Sequence, residues 1–121
     1  ALFMSERTEQ DFLSDMQEAL HRIAGYTVGM TYKTFLSDKR TQDAVIRNLE
    51  ILGEATKHIA EPTRLTYDHI PWKNMAGARD RLIHNYFGVN LDIVWQIVTA
   101  QLPQVAIDLA QVVSDLTAKE D

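Results

Sequence analysis

Apolar residues recur at three- and four-residue spacing along most of this chain, and no stretch alternates with the two-residue period of a half-buried strand. Phe12, Leu13, Met16, Leu20, Ile23 and Ala24 fall on one face and predict a first helix over about residues 8–26. Glu9, Asp11 and Asp15 stand near its start, where the helix dipole favours negative charge. Gly25 and Gly29 bracket its end, and Met30 to Leu36 reads as a connector or loose turn. Ser37 or Thr41 can cap a second helix reaching Ala60, with Glu61-Pro62 as its stop signal. Val45, Leu49, Leu52, Thr56 and Ile59 form its core stripe. Arg47, Ile51, Glu54 and His58 form a separate stripe, within about 60° of one another. Gly53, which costs about 1 kcal/mol in a helix relative to Ala, implies close approach of another backbone.

Residues 63–70 read as a connection. Pro71 suits the first turn of a third helix, since its φ is already helical and its missing N–H is not needed there. Met75, Ala78, Leu82 and Tyr86 carry an apolar stripe to Phe87, and Gly88 ends it. Asn90 caps a last helix over about residues 91–116, with Ile93, Val94, Ile97, Leu102, Val105, Leu109 and Val112 inward and a kink at Pro103, near Ala100 and Gln101. The expected fold is all-α: four main helices in an antiparallel up-down bundle, one domain spanning 1–121.

The composition, 45% hydrophobic and 24% charged over 121 residues, suits one soluble globular domain. No uninterrupted apolar run approaches the roughly 18–20 residues of a membrane span, so no membrane association and a cytoplasmic location are expected. The absence of cysteine excludes disulfides, thiolate nucleophiles and Cys-ligated zinc. A net charge of −5 argues against a general nucleic-acid binder, but the charge is uneven. Residues 71–90 hold Lys73, Arg79 and Arg81 against Asp80 alone, a local +2 that leaves −7 for the rest. A phosphate-bearing substrate would be drawn to that window, although a solvated basic helix would have the same composition.

Within it, Arg79, His84 and Tyr86 are spaced Arg-x-x-x-x-His-x-Tyr. A guanidinium that binds phosphate, an imidazole that titrates near neutrality and a phenol suffice for phosphodiester chemistry without metal or cofactor. Arg79 shares a stripe with Met75, Leu82 and Tyr86, so it either pairs with a carboxylate such as Glu54 or faces a groove. His84 is turned about 140° from Arg79 and about 7.5 Å along the axis, so the two do not share a face within one chain. Asp80 is either a solvated carboxylate or an orienting partner one turn from His84. Tyr86 is either a core aromatic with a wet hydroxyl or a phosphate contact. Glu18-x-x-His21 has the spacing used in di-iron bundles, but the second such motif that a full site needs is missing, and no metal is expected.

The ordered set Arg47-Asn48-Leu49-Glu50-Ile51-Leu52-Gly53-Glu54-Ala55, Ile70-Pro71-Trp72, Leu82-Ile83-His84-Asn85-Tyr86-Phe87 and Ile93-Val94-Trp95 resembles the HepT-like family. These proteins are the toxin branch of the HEPN superfamily of all-helical ribonucleases, paired with minimal nucleotidyltransferase antitoxins. The likeness runs from about Arg40 to Asp115. It implies a metal-independent endoribonuclease toxin with no cofactor, acting on RNA as a homodimer whose composite cleft unites Arg79 and His84 and leaves a cyclic phosphate end. It further implies Tyr86 as the acceptor of AMP from the cognate nucleotidyltransferase, with Asp80 and Glu54 in support. Two other readings fit the residues: a non-catalytic helical partner of a nucleotidyltransferase or nucleotide, and a structural dimerisation module.

Overall fold

The computed structural model describes residues 6–78, 80 and 90–120, and all its regular elements are helical. Helix α1 (Glu9–Thr27) begins at a capping box, in which the Thr8 hydroxyl accepts from the Asp11 N–H and the Asp11 carboxylate accepts from the Thr8 N–H. The chain leaves α1 through Gly29, whose φ of 75° lies in the left-handed region that favours glycine. The stretch expected to be a connector then folds as a short helix, α2 (Tyr32–Leu36), because Thr31 and Thr34 form a second capping box and Phe35 is sealed in the core.

Helix α3 (Lys39–Thr56) is capped by Asp38, rather than by Ser37 or Thr41 as expected. The Asp38 carboxylate accepts from both the N–H (3.0 Å) and the hydroxyl (2.8 Å) of Thr41. Glu61-Pro62 was expected to stop a helix and instead starts one. In α4 (Glu61–Thr66) the proline occupies the first turn, where no N–H is required, so α3 ends at Thr56 and a separate turn of helix follows. The third expected helix opens as α5 (Trp72–Ala76) and is interrupted at Gly77. Four main helices are therefore too simple a count.

The last helix consists of α6 (Leu91–Gln96), a π-helical turn over Ile97–Gln101, and α7 (Leu102–Glu120). Pro103 does not stop it. The Leu102 N–H reaches back to the Ile97 carbonyl, and this wider turn comes immediately before the residue whose ring would crowd the carbonyl one turn back. The extra residue shifts the register: Val94, Val98 and Leu102 are inward four apart, then Val105, Leu109 and Val112 at three and four. Ile93, expected inside, is instead 42% exposed, and Val98 takes an inner place.

Chain direction follows from contacts between distant residues. The Glu9 carboxylate accepts from the Ala60 N–H at 3.1 Å and Phe12 stacks on His58, so α1 and α3 run antiparallel. Tyr32 donates to Asp92 and Phe35 packs on Trp95 near the start of the 91–120 rod, while Tyr67 donates to Asp115 near its end. The rod therefore runs antiparallel to α1 and parallel to α3. Leu13, Met16, Leu20 and Ile23 from α1, Val45, Leu49 and Leu52 from α3, and the rod's inner stripe make one core.

Between Leu91 and Lys119 an 18-residue window reaches a mean hydropathy of 1.2, so by length and composition this helix could cross a membrane; 28% of that window is buried within the protein. Its inner stripe marks it as a core helix.

Candidate functional site

Arg79, His84 and Tyr86 lie outside the described residues. The structure fixes what leads into that segment and what receives it. On the entry side, Trp72 is buried and its indole N–H donates to the Tyr67 carbonyl at 2.9 Å, while the Tyr67 hydroxyl donates to Asp115 at 2.7 Å. The bond holds Tyr67 in its neutral form, raising its pKa above the ordinary 10.0, and depresses that of Asp115, which also accepts from Gln111. On the exit side, the Asn90 side chain caps α6 by accepting from the Ile93 N–H. Ala78 and Asn90 both border one cavity of about 70 Å³, which Leu49, Leu52, Met75 and Leu102 also line. The described residues on either side of the motif segment, Ala78 and Asn90, thus border one mainly apolar pocket lined by residues of α3, α5 and the rod.

Two supporting candidates are described. Asp80 is helical and exposed. Glu54 is exposed on α3, with Oε2 3.6 Å from Lys57 Nζ and Oε1 3.8 Å from His58 Nε2, so its near partners lie just past the end of its own helix. Gly53, expected to admit a neighbouring backbone, is buried.

The stripe of Arg47, Ile51, Glu54 and His58 lines a groove of about 330 Å³ between α3 and α1. Its other wall comes from Arg7, Phe12 and Asp15, which periodicity did not single out as site residues. Phe12 fits the apolar spacing of α1 but is only half-buried. One ring face meets His58 at 4.3 Å between centroids and an interplanar angle of 10°, and the Arg7 guanidinium lies 4.9 Å from its centroid. The charges pair off: Arg7 with Asp15 at 2.8 Å, Arg47 with Glu50 at 3.9 Å, Lys57 with Glu54. A groove of paired charges offers shape and a stacked aromatic surface but little net attraction for phosphate. Glu18, from the di-iron-like spacing, bonds to Arg22 at 2.9 Å.

The model of the family "Ribonuclease HepT-like" matches residues 16–112. A Methanocaldococcus jannaschii protein named as a candidate RNase is 40% identical over 118 residues, covering 98% of each chain. A Thermococcus cleftensis protein named "Probable ribonuclease HepT" is 44% identical over 98 residues, covering 81% of this chain and 89% of its own. A candidate RNase of Caldanaerobacter subterraneus is 32% identical, covering 94% of this chain and 98% of its own. No solved structure gives a significant match. The family model spans the core stripes of α1, α3 and the rod together with the Arg79 to Tyr86 motif, so the chain belongs to the ribonuclease HepT-like family.

Proposed function

We propose that this chain is a HEPN-type, metal-independent endoribonuclease toxin, formed by a single domain, working in the cytoplasm as a homodimer and silenced by a cognate nucleotidyltransferase. The observation that carries the reading is the Arg79-x-x-x-x-His84-x-Tyr86 spacing in a chain of the ribonuclease HepT-like family. His84 takes the proton from an RNA 2′-hydroxyl. The freed oxygen attacks the adjacent phosphorus, the bond from phosphorus to the 5′-oxygen breaks, that oxygen takes up a proton from solvent, and a cyclic phosphate remains. Arg79 neutralises the charge that grows on the non-bridging oxygens. Asp80, one turn before His84, is suited to orient its ring. Because Arg79 and His84 are about 140° apart on a straight helix, the cleft is completed by a two-fold mate.

The experiment is cleavage of labelled RNA by the purified chain, with and without EDTA, by wild type and by His84→Ala. Cleavage that survives EDTA and vanishes in the variant supports the reading. Cleavage that strictly requires divalent metal, or persists without His84, overturns it. The acidic balance of −7 outside residues 71–90 favours a second reading, a non-catalytic partner of a nucleotidyltransferase. Absence of cleavage by a folded wild-type chain that binds such an enzyme would select it.

A further inference from the structure

The turn between α4 and α5 brings Arg64 and Lys73 to the wall of one open hollow of about 380 Å³. The Tyr67 carbonyl holds the turn, accepting from the Ile70 N–H at 3.1 Å and from the Trp72 indole at 2.9 Å. Thr63, Ile70 and Trp72 are buried beside it, so the backbone that carries both cations is set before any ligand arrives. Charge separates this hollow from the α1–α3 groove. Arg7, Arg22, Arg47 and Lys57 are ion-paired, while Arg40 stands near Asp38 and Lys119 near Asp115. Among the described residues, Arg64 and Lys73 are in no ion pair. Asp68 lines the same hollow without pairing to either, so two positive charges against one negative leave it at +1.

We propose that this hollow is a phosphate subsite for the RNA strand, in which Arg64 and Lys73 grip one backbone phosphate near the one that is cut. The proposal rests on the ribonuclease reading. A chain of net charge −5 that acts on a polyanion needs local cations free of protein carboxylates, because a paired cation must first release its partner. The Arg64 guanidinium offers a planar fork to two phosphate oxygens, and Lys73 adds a compact charge. Asn74, also on the wall, supplies an amide donor. Position points to the same ligand. Lys73 precedes Arg79 by six residues, a length of chain that reaches at most about 22 Å, so the phosphate held here belongs to a nucleotide close to the scissile one. Folding thereby adds Arg64 to the basic window that residues 71–90 form in sequence. Asp68 limits the grip, since its carboxylate repels the phosphate.

Single-stranded DNA lacks the 2′-hydroxyl nucleophile, so its binding to the wild-type chain can be titrated without cleavage. Arg64→Gln combined with Lys73→Gln should weaken that binding and reduce the slope of log affinity against log salt by about 0.7, the value for one phosphate on a single strand. Asp68→Asn should tighten it. Lys33→Gln combined with Lys39→Gln removes the same charge on α2 and at the start of α3, and should leave the slope as in wild type. All these positions are exposed, so circular dichroism should not change. In RNA cleavage the Arg64 and Lys73 double variant should raise KM and leave kcat unchanged, as for a contact made equally in the ground and transition states. Cleavage and binding that ignore this double variant overturn the subsite and leave the nuclease reading in place, whereas a wild type that neither binds nor cuts a strand removes both. An equal loss from the Lys33 and Lys39 changes reduces the effect to net charge and also overturns it. So does binding of inorganic phosphate that needs Arg64 and Lys73 while strand binding does not, which would assign the hollow to a small anion.

Discussion

The hydroxyl of Tyr67 donates to the carboxylate of Asp115 at 2.7 Å, joining the end of α4 to the far end of the rod across 48 residues of sequence. Through its carbonyl, which accepts from the Trp72 indole, Tyr67 also anchors the turn that opens the helix leading to the motif. The bond raises the pKa of Tyr67 above 10.0 and lowers that of Asp115 below 3.8. The two limbs have opposite signs. A raised Tyr67 adds stability that is complete below pH 10 and fades as pH rises through its folded pKa. A depressed Asp115 adds stability that is complete above pH 3.8 and fades as pH falls through its folded pKa. Tyr67→Phe should lower Tm slightly between these limits and flatten both limbs. Thermal melts from acid to alkaline pH will show this, and a variant with the wild-type pH profile would remove the bond from the account of stability.

Asp38 and Asp11 are also held below the ordinary carboxylate value, each chiefly by a backbone N–H of its helix cap, from Thr41 and Thr8 respectively. Their contribution is present above pH 3.8 and is lost as pH falls through the depressed values. The double variant Asp11→Asn with Asp38→Asn should therefore be less stable than wild type at neutral pH and converge with it in acid. Denaturant melts at pH 7 and pH 2.5 measure the difference. A gap that stays constant between the two would show that the caps are not titrating as described.

Phe35 has no exposed surface and its ring lies 5.1 Å from that of Trp95, fixing α2 against the start of the rod. Phe35→Ala should cost about 3–5 kcal/mol, the range for emptying a large buried aromatic. Equilibrium unfolding in urea is the measurement. A loss below about 1 kcal/mol would mean that the site collapses without a cavity.

The core stripes of α1, α3 and the rod were legible because periodicity reports burial directly, and Val45, Leu49, Leu52, Thr56 and Ile59 are buried as the spacing requires. The short helices α2 and α4 were not legible. Each is one or two turns long, too short for a periodic signal, and depends on local capping: the Thr31/Thr34 box, and Pro62 in a first turn. The stripe of Arg47, Glu54 and His58 was visible, but its partners Phe12 and Asp15 come from α1 and Arg7 from just ahead of it, and they could be found only by folding. Tyr67 with Asp115 escaped for the same reason. The motif residues themselves were read from spacing and family likeness, and remain a proposal.

His84→Ala should reduce RNA cleavage by roughly 10²- to 10⁴-fold, the usual loss for a positioned proton-transfer group, and Arg79→Ala by roughly 10²- to 10³-fold, the usual loss for a group that stabilises developing charge. Growth arrest on expression should disappear with it. Mixing inactive Arg79→Ala with inactive His84→Ala should restore part of the activity if the cleft draws on two copies, because one composite site then carries both residues. No recovery from a mixture shown to exchange subunits would place both residues in one chain's own site.

Tyr86 falls seven residues after Arg79, nearly an integral number of helical turns, so its hydroxyl is expected on the same side as the guanidinium. Under the proposed regulation, the phenol oxygen attacks the α-phosphorus of ATP in the nucleotidyltransferase, pyrophosphate leaves, and Tyr86 becomes O-adenylylated. The added phosphate carries negative charge and the adenosine carries bulk, both next to the position that substrate phosphate must occupy, so cleavage should stop for electrostatic and steric reasons together. Mass spectrometry after co-expression should find one or more adenylyl units on Tyr86. Tyr86→Phe keeps the ring but lacks the nucleophilic oxygen. It should gain no such mass, and it should remain toxic in the presence of the antitoxin if the hydroxyl is dispensable for cleavage. Adenylyl groups found on Tyr26, Tyr32 or Tyr67 instead, or none at all with an active nucleotidyltransferase, would reject this regulation while leaving the nuclease proposal to stand on its own assay.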